Sequence, residues 1–184
     1  ESCACCRLGL QPMDDGKTVF LAYRHVERAV ADAKAADSIR NFVITRSDDG
    51  GATFGEPALV HDDGWKIEAR PHTGIDLTLG GDGALHATWF TGGRSPDESG
   101  VRYAVSRDGG ATFGDHQLVA SGSADAVSHT QLAVDRDNVY VVYDKFVGDT
   151  THIFLRHSKD GGRTFGEPQK VSGAALRFRR DVAQ

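Results

Sequence analysis

The sequence predicts an all-β chain assembled from three copies of one antiparallel, four-stranded unit. Three observations carry this. One short stretch is written three times: Ser47-Asp48-Asp49-Gly50-Gly51-Ala52-Thr53-Phe54, Ser106-Arg107-Asp108-Gly109-Gly110-Ala111-Thr112-Phe113 and Ser158-Lys159-Asp160-Gly161-Gly162-Arg163-Thr164-Phe165. The copies lie 59 residues apart from Ser47 to Ser106 and 52 apart from Ser106 to Ser158, a period that marks a repeated supersecondary unit. Each copy also follows a β-rich run, at 41–45, 101–105 and 151–155, so each closes a hairpin. The stretch reads as a turn and not as a catalytic motif. Its Asp and Ser side chains suit the backbone amides just ahead, its paired glycines permit positive φ, and its Phe suits a core anchor.

Taken in order, the first unit opens with a candidate inner strand at 5–10, turns at Asp14-Asp15-Gly16, and pairs back through 18–23, rich in β-branched and aromatic residues. Residues 26–36 carry alanines and charges that favour a short helix between strands two and three, with an unstructured loop as the alternative. After the first repeated turn, 56–60 is the outer strand, where an edge proline is tolerated. The second unit alternates over 74–79, turns at Gly80-Gly81-Asp82-Gly83, and returns through 84–90. In the third unit the corresponding pieces are 130–134, Asp135-Arg136-Asp137-Asn138 and 139–143, with a last outer strand at 168–171. The units span approximately 5–62, 70–122 and 127–173 of one partial domain, and 174–184 is a tail or the start of a next unit.

The triple stretch resembles the Asp-box, or BNR repeat, of sialidase-type β-propellers, and the resemblance covers nearly the whole chain. It implies four-stranded blades, each with an Asp-box hairpin between its third and fourth strands on the face opposite the ligand site. It also implies a secreted or periplasmic protein. Closed propellers have at least about four blades, and an open stack leaves strand edges bare. The three blades are therefore expected to be part of a six-bladed propeller, completed by the rest of a parent chain or by another chain. At this period, roughly 350 residues would complete six blades. The chain begins at Glu1 rather than Met and has no signal-like apolar segment, which reads as a processed product or a fragment.

A net charge of −5 and a pI near 5.9 exclude nucleic-acid binding driven by phosphates. No apolar run approaches the ~18 to 20 residues of a membrane span. The three cysteines, Cys3, Cys5 and Cys6, are too few and too clustered for a disulfide framework.

In a propeller, the starts of the innermost strands and the loops joining strands two and three share one face. The strand starts carry Cys5-Cys6-Arg7, Arg70-Pro71-His72 and Ser128-His129-Thr130. The strand-two ends carry Tyr23-Arg24-His25, Phe90-Thr91-Gly92-Gly93-Arg94 and Tyr143-Asp144-Lys145. Polar and reactive residues thus converge on one mouth of the central channel.

Two chemistries compete there. Thiolates and imidazoles from Cys3, Cys5, Cys6, His72 and His129 suit Zn or Cu(I). The alternatives are a local disulfide, Cys3 to Cys6 or Cys3 to Cys5, and thiols that only fill space. Cys3-Ala4-Cys5-Cys6-Arg7, with Asp63-Gly64-Trp65 leading to Pro71-His72-Thr73-Gly74, is similar to a bacterial sialidase-like group with a CxCCR segment. Arg70 stands where that group has a fourth cysteine.

The second chemistry is exo-sialidase activity. Exo-sialidases of this fold use an arginine triad to grip a carboxylate, a Tyr nucleophile activated by Glu, and an Asp acid/base. Cys6-Arg7-Leu8-Gly9-Leu10 resembles the family's Phe-Arg-Ile-Pro start without its isoleucine and proline. The resemblance implies Arg7 as the first triad arginine, with Arg24, Arg70 and Arg94 as further candidates and Tyr143 with Asp144 at the same mouth. A third reading is a propeller that binds glycans, small molecules or proteins without chemistry. Trp65, Trp89 and Phe90 are then stacking surfaces if exposed and core if buried.

Overall fold

The computed structural model describes residues 7–27, 39–66, 74–123 and 127–173, which form twelve strands. Blade 1 comprises β1 (Gly9–Pro12), β2 (Val19–Glu27), β3 (Ile39–Ser47) and β4 (Ala58–Leu59). Blade 2 comprises β5 (Ile75–Leu79), β6 (Leu85–Thr91), β7 (Gly100–Ser106) and β8 (Gln117–Ser121). Blade 3 comprises β9 (Val127–Asp135), β10 (Asn138–Val147), β11 (Thr150–Ser158) and β12 (Gln169–Lys170). Each blade is an antiparallel sheet in sequential order, as expected of a β-propeller. No helix among the described residues is long and apolar enough to cross a membrane.

The differences from the sequence expectation follow from pairing. Val26 and Glu27, assigned to a helix, extend β2 because Arg40 and Ile39 lie opposite them in the ladder. The rest of that segment, 28–36, lies outside the described residues. Of the inner strand expected at 5–10, residues 5 and 6 lie outside the described residues, Arg7 and Leu8 are not strand, and β1 runs from Gly9 to Pro12. β8, which the sequence did not single out, adds to β7 across a register shift at Val101/Arg102.

Period-two alternation explains where the core sits. β6 is buried at every position because blade 2 is covered on both sides. Trp89 faces the layer shared with blade 1, beside Phe20, Phe42, Ile44 and Leu77. Its neighbour Phe90 faces the layer shared with blade 3, beside Tyr103, Val139, Val141 and Tyr143.

The three repeated turns are superimposable in their bonding. Ser47 Oγ accepts the Gly51 amide at 2.8 Å, and Asp49 accepts the Thr53 amide at 2.8 Å and hydroxyl at 2.6 Å. Ser106, Asp108, Gly110 and Thr112 repeat this, as do Ser158, Asp160, Gly162 and Thr164. The Thr hydroxyl and amide hold the Asp49 and Asp108 carboxyls down at about 2 and Asp160 lower still.

Two of the three turns also dock on the preceding blade. Phe113 packs against the first interblade core and Phe165 against the second, whereas Phe54 is 42% exposed. The glycines behave likewise. A Cβ on Gly110 would sit 3.3 Å from the Phe20 ring, and one on Gly162 would collide with the Tyr103 hydroxyl. Gly51 has nothing within 4 Å.

Candidate ligand-binding mouth

Antiparallel order puts the β3–β4, β7–β8 and β11–β12 turns at one end of the blades. The β2–β3 and β6–β7 loops and the connections between blades lie at the other end. At that second end, between blades 1 and 2, lies an open groove of about 900 Å³. Trp65 and Lys66 come from the connection between the blades, Arg94, Ser95 and Ser99 from the β6–β7 loop, and Ser123 from the end of blade 2.

Buried polar groups fix both walls. Asp63, only 7% exposed, accepts the Trp65 amide at 3.1 Å. Burial pushes its carboxyl up, against hydrogen bonds from Thr91 and Trp65 and the charge of Arg24. Thr91 in turn accepts the Gly93 amide at 3.0 Å. The carboxyl thus holds the interblade connection at Trp65, while Thr91 holds the start of the β6–β7 loop. Gly92 is required here, because a Cβ would overlap the Trp65 indole.

Trp65 is half-buried. Its ring meets Phe90 edge-on at 5.4 Å, and the Arg24 guanidinium lies 4.8 Å from its centroid. Behind Asp63, His61 Nε2 stands 3.4 Å from Oδ2, yet both atoms lack a well-directed hydrogen bond. His61 is edge-on to His116.

The residues singled out in the sequence fall in distinct places. Arg24 is 1% exposed: parity with Phe20 and Ala22 turns it toward blade 2, where it donates to the carbonyls of Phe90 at 3.0 Å and Arg40 at 2.9 Å. Its guanidinium also stacks on Phe42 at 3.9 Å. Arg94 lies at the groove, 58% exposed, with Asp62 at 3.3 Å. Arg7 is exposed at the inner edge of blade 1, with its backbone against Gly74. Tyr143 is 3% exposed and stacked on Phe154, and burial raises its hydroxyl pKa. Trp89 and Phe90 are fully buried, which makes them core.

Asp144 and His129, by contrast, meet. Asp144 Oδ2 lies 2.9 Å from His129 Nδ1, and its Oδ1 accepts the His129 amide at 2.8 Å and the Ser128 amide and hydroxyl at 3.0 Å each. Burial opposes ionisation of Asp144, but these bonds outweigh it and hold the carboxyl below its ordinary value. Ser, His and Asp are the residue types of a hydrolase triad, but the wiring differs. Ser128 Oγ approaches Nδ1, at 3.2 Å, and not Nε2.

Cys3, Cys5, Cys6, His72 and Arg70 lie outside the described residues. Among the described residues, no group of three His, Cys, Asp or Glu side chains could hold a metal ion. Lys66, Ser95 and Ser99 were missed from sequence, and the buried Asp63 entered there only as part of the Asp63-Gly64-Trp65 segment, with no role of its own. The one available signal was the proximity of Asp63 and Lys66 to Trp65.

No protein-family model and no curated protein matches the sequence. Solved structures do match the fold. A Dyadobacter fermentans protein of unknown function is 21% identical over 89% of this chain and 50% of its own, with a TM-score of 0.61. An α-L-arabinofuranosidase from Fusarium graminearum, solved with arabinobiose, is 16% identical over 93% and 49%, with a TM-score of 0.66. A Penicillium chrysogenum α-L-arabinanase, also solved with arabinobiose, is 16% identical over 92% and 50%, with a TM-score of 0.67. At these identities the likeness is one of fold, that of β-propeller glycosidases. The chain spans about half the length of these structures.

Proposed function

We propose that this chain is a glycan-binding module of a glycosidase-like β-propeller, with a saccharide lying in the groove between blades 1 and 2. The observation that carries this reading is the groove itself. It is open, faces away from the repeated turns, and sets one half-buried tryptophan beside lysine, arginine and serine side chains. An aromatic platform with a few polar groups suits a sugar ring, whose C–H face stacks and whose hydroxyls bond.

The bonding of the three turns supports the finer Asp-box, sialidase-like reading, and with it a six-bladed ring completed by further blades and a secreted or periplasmic location. Exo-glycosidase activity is the second reading, favoured by Arg7 and Arg94 at the mouth. Metal binding by Cys3, Cys5, Cys6 and His72, with His129, remains a proposal for Zn or Cu, tested by metal analysis of anaerobically purified protein.

Calorimetry with arabinobiose, xylobiose and sialyllactose tests the main reading. One of them binds, and Trp65→Ala weakens it by roughly tenfold, about 1.4 kcal/mol, with the circular dichroism unchanged. Absence of binding by all three, or an unaffected variant, sinks it. Hydrolysis of a fluorogenic sialoside or arabinofuranoside that Arg7→Ala abolishes would establish the enzyme reading.

A further inference from the structure

The three inner hairpins and the three repeated turns are near-copies, so a departure in one copy stands out. Two departures in the third unit each introduce an arginine. The left-handed residue of the inner hairpin is Gly16 in blade 1 and Gly83 in blade 2, but Arg136 in blade 3, at φ +54°. Among the described residues Arg136 is the one non-glycine with positive φ, a backbone on which a Cβ crowds the next carbonyl. In the repeated turn, the sixth residue is Ala52 and Ala111 in the first two copies, but Arg163 in the third.

Both arginines line one cavity of about 450 Å³ between blades 2 and 3, at the end of the blades away from the Trp65 groove. The other charges on its wall are largely committed. Arg107 pairs with Asp82 at 3.1 Å. The Asp160 carboxylate accepts the Ser158 hydroxyl at 2.7 Å and the Thr164 amide and hydroxyl at 2.9 and 2.6 Å. Asp137 is exposed at the hairpin tip beside Arg136. Among the described residues, nothing bonds or pairs with the guanidinium of Arg136 or of Arg163. His86, only 3% exposed, also lines the cavity, with its Nδ1 2.6 Å from the Tyr103 hydroxyl. That is the one bond of this hydroxyl among the described residues, so it donates to Nδ1 and the ring hydrogen falls on Nε2. No described residue accepts from Nε2, and so deeply buried a donor calls for an acceptor.

We propose that this cavity binds a tetrahedral oxyanion, a sulfate or phosphate group, held by the Arg136 and Arg163 guanidiniums and the His86 Nε2–H. Three donor groups brought by a hairpin tip, a turn and a strand suit three oxygens of one group, and guanidinium forks suit oxyanions in particular. An arginine kept on a left-handed backbone, where the sister hairpins have glycine, is the kind of strain found at ligand clamps. The nearby carboxylates offset part of the positive charge, so the expected dissociation constant is on the order of 0.1 to 1 mM. The group is a free ion or an ester on a sugar.

Calorimetry on the whole chain at low ionic strength, with inorganic sulfate, inorganic phosphate, glucose 6-sulfate and glucose 6-phosphate, tests this. At least one binds. Arg163→Ala and Arg136→Gly each weaken it about tenfold or more. Arg46→Ala, which removes a like charge at the same end of blade 1 but outside this cavity, changes it less than twofold. Because glycine is at ease at +54°, Arg136→Gly should lose the ligand without lowering the melting temperature. An ester that binds more tightly than its ion assigns the group to a sugar, and one that binds no more tightly assigns it to the free ion. No binding of any of the four at about 10 mM, binding that survives both cavity variants, or binding that Arg46→Ala weakens as much overturns the proposal. Trp65→Ala leaves this binding unchanged, so the groove and the cavity stand or fall separately.

Discussion

His61 lies flat on Trp89, with ring centroids 4.3 Å apart and planes within 7°. The stack buries an imidazole whose two nitrogens have no hydrogen-bond partner among the described residues. Burial first, then the charges of His116, Arg24 and Arg102, push its pKa from 6.5 down to about 2. The unfolded chain therefore takes up a proton on His61 that the folded chain refuses. The contribution is fully present above about pH 6.5 and is lost progressively on acidification, by up to about 1.4 kcal/mol per pH unit. His86 and His116 have the same sign. Asp63, whose carboxyl is raised, has the opposite one: its contribution is present at low pH and lost as pH rises through the raised value. His61→Phe keeps the stack and removes the proton site. Thermal melts at pH 7.5 and pH 5 should show a smaller acid loss in the variant; equal losses refute this assignment.

The second glycine of each repeated turn gives a controlled series. Gly51, Gly110 and Gly162 have φ of +91°, +86° and +85°, so alanine strains each backbone alike, by about 1 to 2 kcal/mol. Only the surroundings differ. Gly51→Ala should cost the strain alone, Gly110→Ala more because of the Phe20 ring, and Gly162→Ala a further ~1 to 3 kcal/mol as Tyr103 is displaced. Urea midpoints give the order directly, and three equal shifts would mean that the turns do not dock between blades.

Arg24 and Arg94 separate structural from mouth-facing arginines. Arg24→Met leaves the carbonyls of Arg40 and Phe90 without this donor and should cost about 2 to 4 kcal/mol. Arg24→Lys should recover little, because one ammonium cannot reproduce a planar fork that bonds two carbonyls and stacks on Phe42. Arg94→Ala should change stability by no more than about 0.5 kcal/mol, given its exposed pair with Asp62. Denaturant titration of the three variants checks the ranking.

The blades were legible because their determinants are local. Turn chemistry set the phase of every hairpin, and alternation set the faces of β2, β5 and β10. Parity could also have exposed the fate of Arg24, which shares a face with Phe20 and Ala22; its charge masked that signal. His61 and Asp63 follow the two-residue β4, too short for a period, so their burial depends on a neighbouring blade. The β-bulge opposite Asp144, where β10 pairs Tyr143 with Thr130 and Lys145 with Val127 of β9, has no sequence signature, since it is a mismatch between two strands rather than a property of either. Half of the mouth was therefore readable as a list of residues, and almost none of it as a geometry.

The docking of the second and third turns onto the blade before each gives the joints of this fold a direction. Every joint has an aromatic side and a glycine side, and these are different surfaces, so units add head-to-tail and the sense of rotation is inherited from one to the next. At one end of the series, Gly51 and Phe54 form a glycine side with no aromatic against it. At the other, Tyr140 occupies in β10 the register position that Phe20 occupies in β2, one residue beyond the pair with the turn serine, and lies stacked on His157 on the open side of blade 3. The two ends are complementary in the same polarity as the internal joints.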